Sequence, residues 1–467
     1  MERRGIPTVT LTREEFVGVT KNAMAGLGFD QDLSMVVLPM SVFLVDSDLT
    51  PVSAAYDEVV SGLTEWSPRA DTLGIKSPAP VSVRANDYES AFDQTNHLFL
   101  ANGWSDGLPV VPPSAERVAR MLRGTDRSGE DVVGKIMPRG GIATVETVAT
   151  AMVMAGGRPE YLPVLLATLE AVLNEALGHD KFQATSGSTF PVVVINGPIA
   201  EQIRLNSGFG LLGPDPQHPA GAAIGRALRL LLQNVGGALP GVGTMAIFGA
   251  MRFTNAVFAE DEGGLPDGWE PVSVHHGGHG SGENTVTVYV ATGAANVMRR
   301  GVGREAPLDE AIQGLERTAS YLRVANAHYP RSWLNGTPGA LMIPRIVAQQ
   351  LHDNGWKTKQ SVREYLWERV QFSAAELTDS GMRQWIEAET NAETVASGLM
   401  EPWPFCKSPD QLMVVVAGGE HPTHNFWLQS WGPTVTSARI ETPAGFDRLL
   451  AEADAEIGPA GDACLIS

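Results

Sequence analysis

Residues Ile6 to Leu11 form a short β-branched, apolar run, and Thr12-Arg13-Glu14-Glu15 follows at once. This juncture constrains the fold more than any other stretch. The run predicts a strand, and the Thr-x-x-Glu box predicts a helix from about Arg13 to Leu27, because Thr12 and Glu15 can satisfy each other's free backbone donors. Gly28 ends that helix, Ser34 to Leu38 reads as a second buried strand, and Pro51 at a first-turn position opens a helix closing near Trp66. A β-α-β-α order belongs to a parallel sheet, whose neighbouring strands need a crossover connection.

Pro68, Pro78 and Pro80 then interrupt a stretch of weak periodicity, which predicts a linker. The chain divides accordingly into a partial parallel α/β domain over 1–66, a linker over 67–87, and a mixed α/β body whose first part is 88–300 and second part 301–467. Within the body, helices are expected from about Tyr88 to Asn102, after Ser114, over Thr144 to Ala155 and, opened by Pro159, over Glu160 to Leu177. Another follows Pro219 and stops at Gly236-Gly237. Strands are expected at Pro191–Asn196, Thr244–Phe248, Asn255–Ala259, Thr285–Val290 and Leu412–Val416. The remaining helices fall at Leu308–Ala325, Pro344–Asn354, Lys359–Val370 and Gly445–Ala455. The fold class is α/β.

A formal charge of −19 argues against nucleic acid and anionic membrane surfaces as partners, since both require clustered Lys and Arg. Two cysteines, Cys406 and Cys464, make neither a disulfide framework nor a zinc motif. No signal-peptide core and no run of about 18 apolar residues is present, so a cytoplasmic protein is expected.

Several constellations can carry chemistry. Arg158, Glu160 and Tyr161 stand at a helix start, where a guanidinium beside free N–H groups suits a carboxylate or phosphate; pairing of Arg158 with Glu146 or Glu160 is the structural alternative. Asn206 begins a glycine-rich loop running into the Pro219 helix, able to cradle an anion. The loop matches no nucleotide motif, so no nucleotide cofactor is expected. His275, His276 and His279, with Glu260 or Glu262, offer a divalent-metal site or an acid–base group. His421 and His424 follow Gly418-Gly419 at a strand-ending loop suited to proton transfer. Gln183 to Thr189 brings hydroxyls before a strand but is not a G-x-S-x-G elbow.

The segments Arg4-Gly5-Ile6-Pro7-Thr8-Val9-Thr10-Leu11-Thr12 and Met35-Val36-Val37-Leu38-Pro39 resemble the UGSC-motif family, and distantly the selenoprotein B component of glycine and betaine reductases. The resemblance covers roughly residues 2–65. The body, about 97–460, resembles a partner region of that family through Asp106 to Pro113, Met154 to Tyr161 and Gly225 to Leu230. The resemblance implies a selenocysteine or cysteine nucleophile in a motif that here would precede Met1, read through a UGA codon taken as a stop, or that a separate subunit supplies.

The resulting expectation is part of a (seleno)thiol-dependent reductase or lyase acting on a small anionic organic substrate. Arg158, Glu160, Tyr161, Asn206, Arg226 and Asp106 would bind the substrate, and His275, Glu260, Glu262 and His421 would act in catalysis. The rivals are a metal-dependent hydrolase or lyase at His275–His279 and Glu260–Glu262, and a non-catalytic scaffold for a UGSC-type subunit. Its partners would be the substrate and such a subunit or a second copy of the chain.

Overall fold

The computed structural model describes residues 6–26, 33–44, 46–66, 81–249, 254–299, 301–326, 336–373, 375–376 and 402–458. Gly28, most of the proposed linker and Cys464 lie outside these residues. In the N-terminal unit, β1 (Thr10–Arg13) pairs in parallel with β2 (Met35–Leu38), joined through α1 (Val17–Gly26). The Thr12–Glu15 box is not formed, because pairing with β2 draws Thr12 and Arg13 into the ladder and leaves Glu14–Phe16 as a 3-10 turn. Helices α2 (Thr50–Ala54) and α3 (Tyr56–Thr64) follow, with Pro51 in the first turn as expected. Val36, Leu38 and Ala55 make a small core with Val52 and Val59.

In the body, α4 (Tyr88–Ala101) is capped by Asp87 and α5 (Ala115–Met121) by Ser114, whose side chains accept from backbone N–H groups one turn on. A hairpin of β3 (Val132–Ile136) and β4 (Gly141–Thr144), unforeseen in the sequence, feeds α6 (Val145–Met154), where Thr144 and Thr147 form a reciprocal cap. Then come α7 (Leu162–Leu173), α8 (His179–Ala184), β5 (Phe190–Asn196), α9 (Ile199–Gln202), α10 (Ala220–Asn234), β6 (Ala256–Ala259), α11 (Val272–His275) and β7 (Thr285–Met298). Thr244–Phe248 is not a strand: it is a turn region with one bridge, Pro240 to Thr244. The chain continues with α12 (Leu308–Asn326), β8 (Gly339–Ile343), α13 (Arg345–Asp353), α14 (Lys359–Arg369), β9 (Gln371–Phe372), β10 (Trp403–Pro404), β11 (Met413–Val416), β12 (His424–Ser430), β13 (Thr436–Arg439) and α15 (Phe446–Ile457).

One seven-stranded sheet organises the body, in the order β11-β8-β12-β7-β5-β6 with β13 also on β7. Strands from before and after residue 300 thus share a sheet. β11 with β8 and β5 with β6 are parallel pairs; β12 and β7 join them antiparallel. Side chains alternate along every strand. Phe190, Val192, Val194, Phe258, Tyr289, Met342, Val415 and Leu428 pack together on the inner face. Val193, Ile195, Val257, Val286 and Val288 turn outward against α6, α7 and α10, while Leu341, Val414, Val416 and Trp427 turn toward α12, α13 and α14. Both faces being buried explains why the strands read as continuous apolar runs. The sheet curls until its edges meet: Asp261 N–H donates to Val416 O at 2.8 Å. Among the described residues, no helix is long and apolar enough to cross a membrane.

Candidate functional site

The carboxyl ends of β8 and β11, the amino end of β12 and the far end of β7 surround a cleft of about 480 Å³. Ligand sites at strand carboxyl ends are common in α/β proteins. In register across the sheet, Met342, Phe426 and Asn296 form one row facing the cleft. The opposite wall is the glycine-rich loop Gly208–Pro214, and the rim is Ala417–Gly419 with His421 and His424. Two features singled out separately in the sequence, the loop after Asn206 and the histidines after Gly418-Gly419, therefore line one cavity.

Asn206 builds this wall rather than meeting a ligand. Its amide donates to Phe209 O at 2.8 Å and to Asp215 Oδ2 at 2.9 Å, and its Oδ1 accepts from Gly208 N–H at 2.7 Å. Asp215 in turn holds His218 Nδ1 at 2.6 Å; burial works against the Asp215 charge, but His218 and backbone N–H groups outweigh it and keep that carboxyl below its ordinary range. Gly418 N–H donates to Ser207 O, fastening the loop to the end of β11. Gly419 lets the Phe209 ring lie close: a Cβ there would come 2.1 Å from the ring and displace it.

The rim holds a hydroxyl between two imidazoles. Thr423 Oγ1 stands 2.7 Å from His421 Nδ1 and 2.7 Å from His424 Nδ1. A hydroxyl has one proton. It can donate to only one of two neutral imidazoles and must accept Nδ1–H from the other, so the rings hold opposite tautomers. One Nε2 is then a base and the other carries a proton, on two residues that line the cleft.

Glu260, expected as a catalytic acid, is a buried structural hub. Its Oε1 accepts from Lys359 Nζ at 2.5 Å and Val416 N–H at 3.2 Å, and its Oε2 from Val272 N–H at 2.7 Å and Asn196 Nδ2 at 2.9 Å. Every lone pair a substrate proton would use is spent, and both charged side chains are buried. Burial draws the Lys359 ammonium below its ordinary range, against the pull of Glu260. Glu262 accepts from Gly197 N–H at 2.6 Å and Asn196 Nδ2 at 3.0 Å, and Asp261 makes a two-point pair with Arg345. The three acids are thus anchors where the sheet edges meet, Glu260 and Glu262 sharing the Asn196 amide and Asp261 held by Arg345.

The histidines before β7 do not converge on those acids. His275 Nε2 lies 3.0 Å from Asp410 O, and His279 Nε2 2.8 Å from Ser437 Oγ. His276 is enclosed; burial, aided by the Arg363 charge, pushes its pKa well below the ordinary imidazole value. Burial lowers His275 as well. Among the described residues no group of three or more His, Cys, Asp or Glu side chains is arranged to hold a metal. His275 ends α11 and its ring packs edge-on against that of His276, with centroids 4.7 Å apart, while His279 turns to Ser437.

The expected anion-binding arginines are also engaged internally. Arg226 makes a two-point pair with Asp106, at 2.8 and 2.9 Å, and also donates to Pro109 O. Burial alone would push the Asp106 carboxyl up, but Arg226 holds it below its ordinary range. Arg158 pairs with buried Glu160 at 2.5 Å and with Glu456 on α15 at 2.9 Å. Tyr161 is buried beside them, and burial with the Glu160 charge pushes its phenol up. The Arg226–Asp106 pair pins the N-terminal loop of the body to the core, and Arg158 with Glu160 and Glu456 does the same for α15. Cys406 is buried, its thiol donates to Ser408 O, and burial raises its pKa far above the ordinary thiol range.

Thr423, Asn296, Phe209 and Lys359 were not foreseen. Thr423 was within reach, since His421-Pro422-Thr423-His424 places a hydroxyl between two imidazoles. Asn296 and Phe209 carry no local signal, because only strand register and a loop contact bring them to the cleft. Comparison with family models, curated proteins and solved structures found no match to this chain.

Proposed function

We propose that the chain is the substrate-binding, proton-transferring part of an enzyme, with its site in the cleft between the Gly208–Pro214 loop and the His421–His424 rim. The observation that carries this reading is the hydroxyl-bridged histidine pair opening on a cleft of small-molecule size. The basic Nε2 takes a proton from the bound molecule while the neighbouring Nε2–H gives one to a developing oxyanion. As this happens the Nδ1 proton of the first ring passes to Thr423 Oγ1 and the hydroxyl's own proton passes to Nδ1 of the second, which leaves both rings neutral with the roles exchanged. The resemblance to the UGSC-motif family adds a thiol or selenol from outside the described residues, whose proton the basic Nε2 would accept to leave the nucleophilic thiolate or selenolate. Cys406 is not that nucleophile, being enclosed and held as the thiol.

The test is hydron wash-in. Small ketones and aldehydes are incubated with the full chain in deuterated water, and exchange of the hydrogens next to the carbonyl is followed by NMR. His421→Gln and His424→Gln should each lower an observed exchange rate by about 10²–10⁴-fold, the span of general acid–base catalysis. Exchange that persists in both variants, or no exchange over a broad panel, contradicts the reading.

A further inference from the structure

The cleft contains no charged wall. Among its described lining residues there is no Lys, Arg, Asp or Glu. Phe209, Leu211, Leu212, Met342 and Phe426 are its large apolar side chains, and Asn296, Asn425 and the two rim histidines its polar ones. An anion entering here would leave water with no charged side chain among the lining residues to receive it. The chain's net charge of −19 would oppose its approach. A cation would find no carboxylate.

Phe209 adds a second indication. It is 71% exposed and its ring lies against Gly419, where an added Cβ would come within 2.1 Å of it. A flat apolar face held open to solvent at the mouth of a cleft suits stacking by another ring, which aromatic pairs favour beyond simple area burial. The volume of about 480 Å³ lies inside the usual range of roughly 300–1,000 Å³ for small-molecule sites.

We infer that the ligand of this cleft is a neutral aromatic compound bearing a hydroxyl or carbonyl group, with its ring on Phe209 and its polar atom at Asn296 and the histidine pair. This rests on the cleft being the functional site and replaces the anionic substrate expected from the sequence. The polar atom then lies where the acidic Nε2–H can donate to it.

The experiment uses the full chain with methyl-labelled methionine, reading the Met342 methyl resonance, which Met342→Leu assigns. p-Cresol should shift it saturably. 4-Methylbenzoate, nearly the same shape but anionic at pH 8, should bind at least 10-fold more weakly, and acetate and inorganic phosphate should leave the resonance unmoved. Phe209→Ala should weaken p-cresol at least 5-fold, and Asn296→Leu should weaken p-cresol more than toluene. Equal or tighter binding of 4-methylbenzoate, a shift with phosphate, no shift with any probe, or unchanged p-cresol affinity in Phe209→Ala would each overturn the inference. Loss of the proton-transfer role shows separately, as hydron exchange untouched by His421→Gln and His424→Gln while p-cresol still binds.

Discussion

Replacing Glu260 tests whether this carboxylate is an anchor or a catalyst. Lys359 Nζ lies 2.5 Å from its Oε1, with the lysine side chain 2% and the glutamate side chain 0% exposed. At an effective dielectric of about 20, two unit charges at that separation attract by roughly 6–7 kcal/mol, and desolvation of both groups removes much of it. Breaking a buried pair from one side costs about 3–5 kcal/mol, because the remaining charge has no partner. Glu260→Gln should cost that much. Lys359→Met should cost less, about 1.5–3 kcal/mol for one charge-assisted hydrogen bond, because Val272 N–H, Val416 N–H and Asn196 Nδ2 still hold the carboxylate. The double variant should be more stable than the sum of the two losses. Urea unfolding followed by tryptophan fluorescence reads this, since Trp269, Trp403 and Trp427 lie in the core beneath α14. A Glu260→Gln loss below about 1 kcal/mol, or a larger loss in Lys359→Met, would refute the anchor role.

Acid should weaken the fold before carboxylates titrate. Burial lowers the pKa of His179, His275 and His276, so below pH about 6.5 the unfolded chain takes up protons that the folded chain refuses. Stability is therefore full above that pH and falls as pH drops below it, by up to about 1.4 kcal/mol per pH unit for each group until its folded pKa is reached; urea midpoints that stay level from pH 7.5 to 5.5 would contradict this. Arg158→Ala leaves buried Glu160 without its guanidinium and Glu456 with Arg120 alone, so it should cost roughly 2–4 kcal/mol and speed hydrogen exchange in α15 above other helices. Uniform exchange would argue against the clasp. Cys406 should resist alkylation in the native protein and react after unfolding, as peptide mapping would show; rapid native labelling at Cys406 would contradict its enclosure.

Much of the fold was legible because its elements are marked locally. Pro159, Pro219 and Gly236-Gly237 bounded helices as their backbone preferences require, and β5, β6 and β11 stood out as apolar runs. Other strands gave no such sign. Gly339–Ile343 is short and opens on a glycine, and His424–Ser430 and Thr436–Arg439 mix polar residues whose places are set by pairing with β7. The site was legible in part. Loop and histidines were visible as separate patterns, whereas their meeting depends on the curled sheet. Arg226 and Asp106 were each readable as ligand-binding groups only because their mutual pairing spans 120 residues. Glu260 and Lys359, 99 residues apart, misled in the same way.

The paired histidines can be examined most directly by long-range ¹H–¹⁵N correlation of the imidazoles in histidine-labelled protein, with Thr423→Val as the comparison. His421 and His424 should show opposite tautomers at neutral pH, one protonated at Nδ1 and the other at Nε2, and Thr423→Val should abolish that distinction. Identical tautomers in the native chain, or opposite tautomers that survive Thr423→Val, would contradict a hydroxyl-bridged acid–base pair.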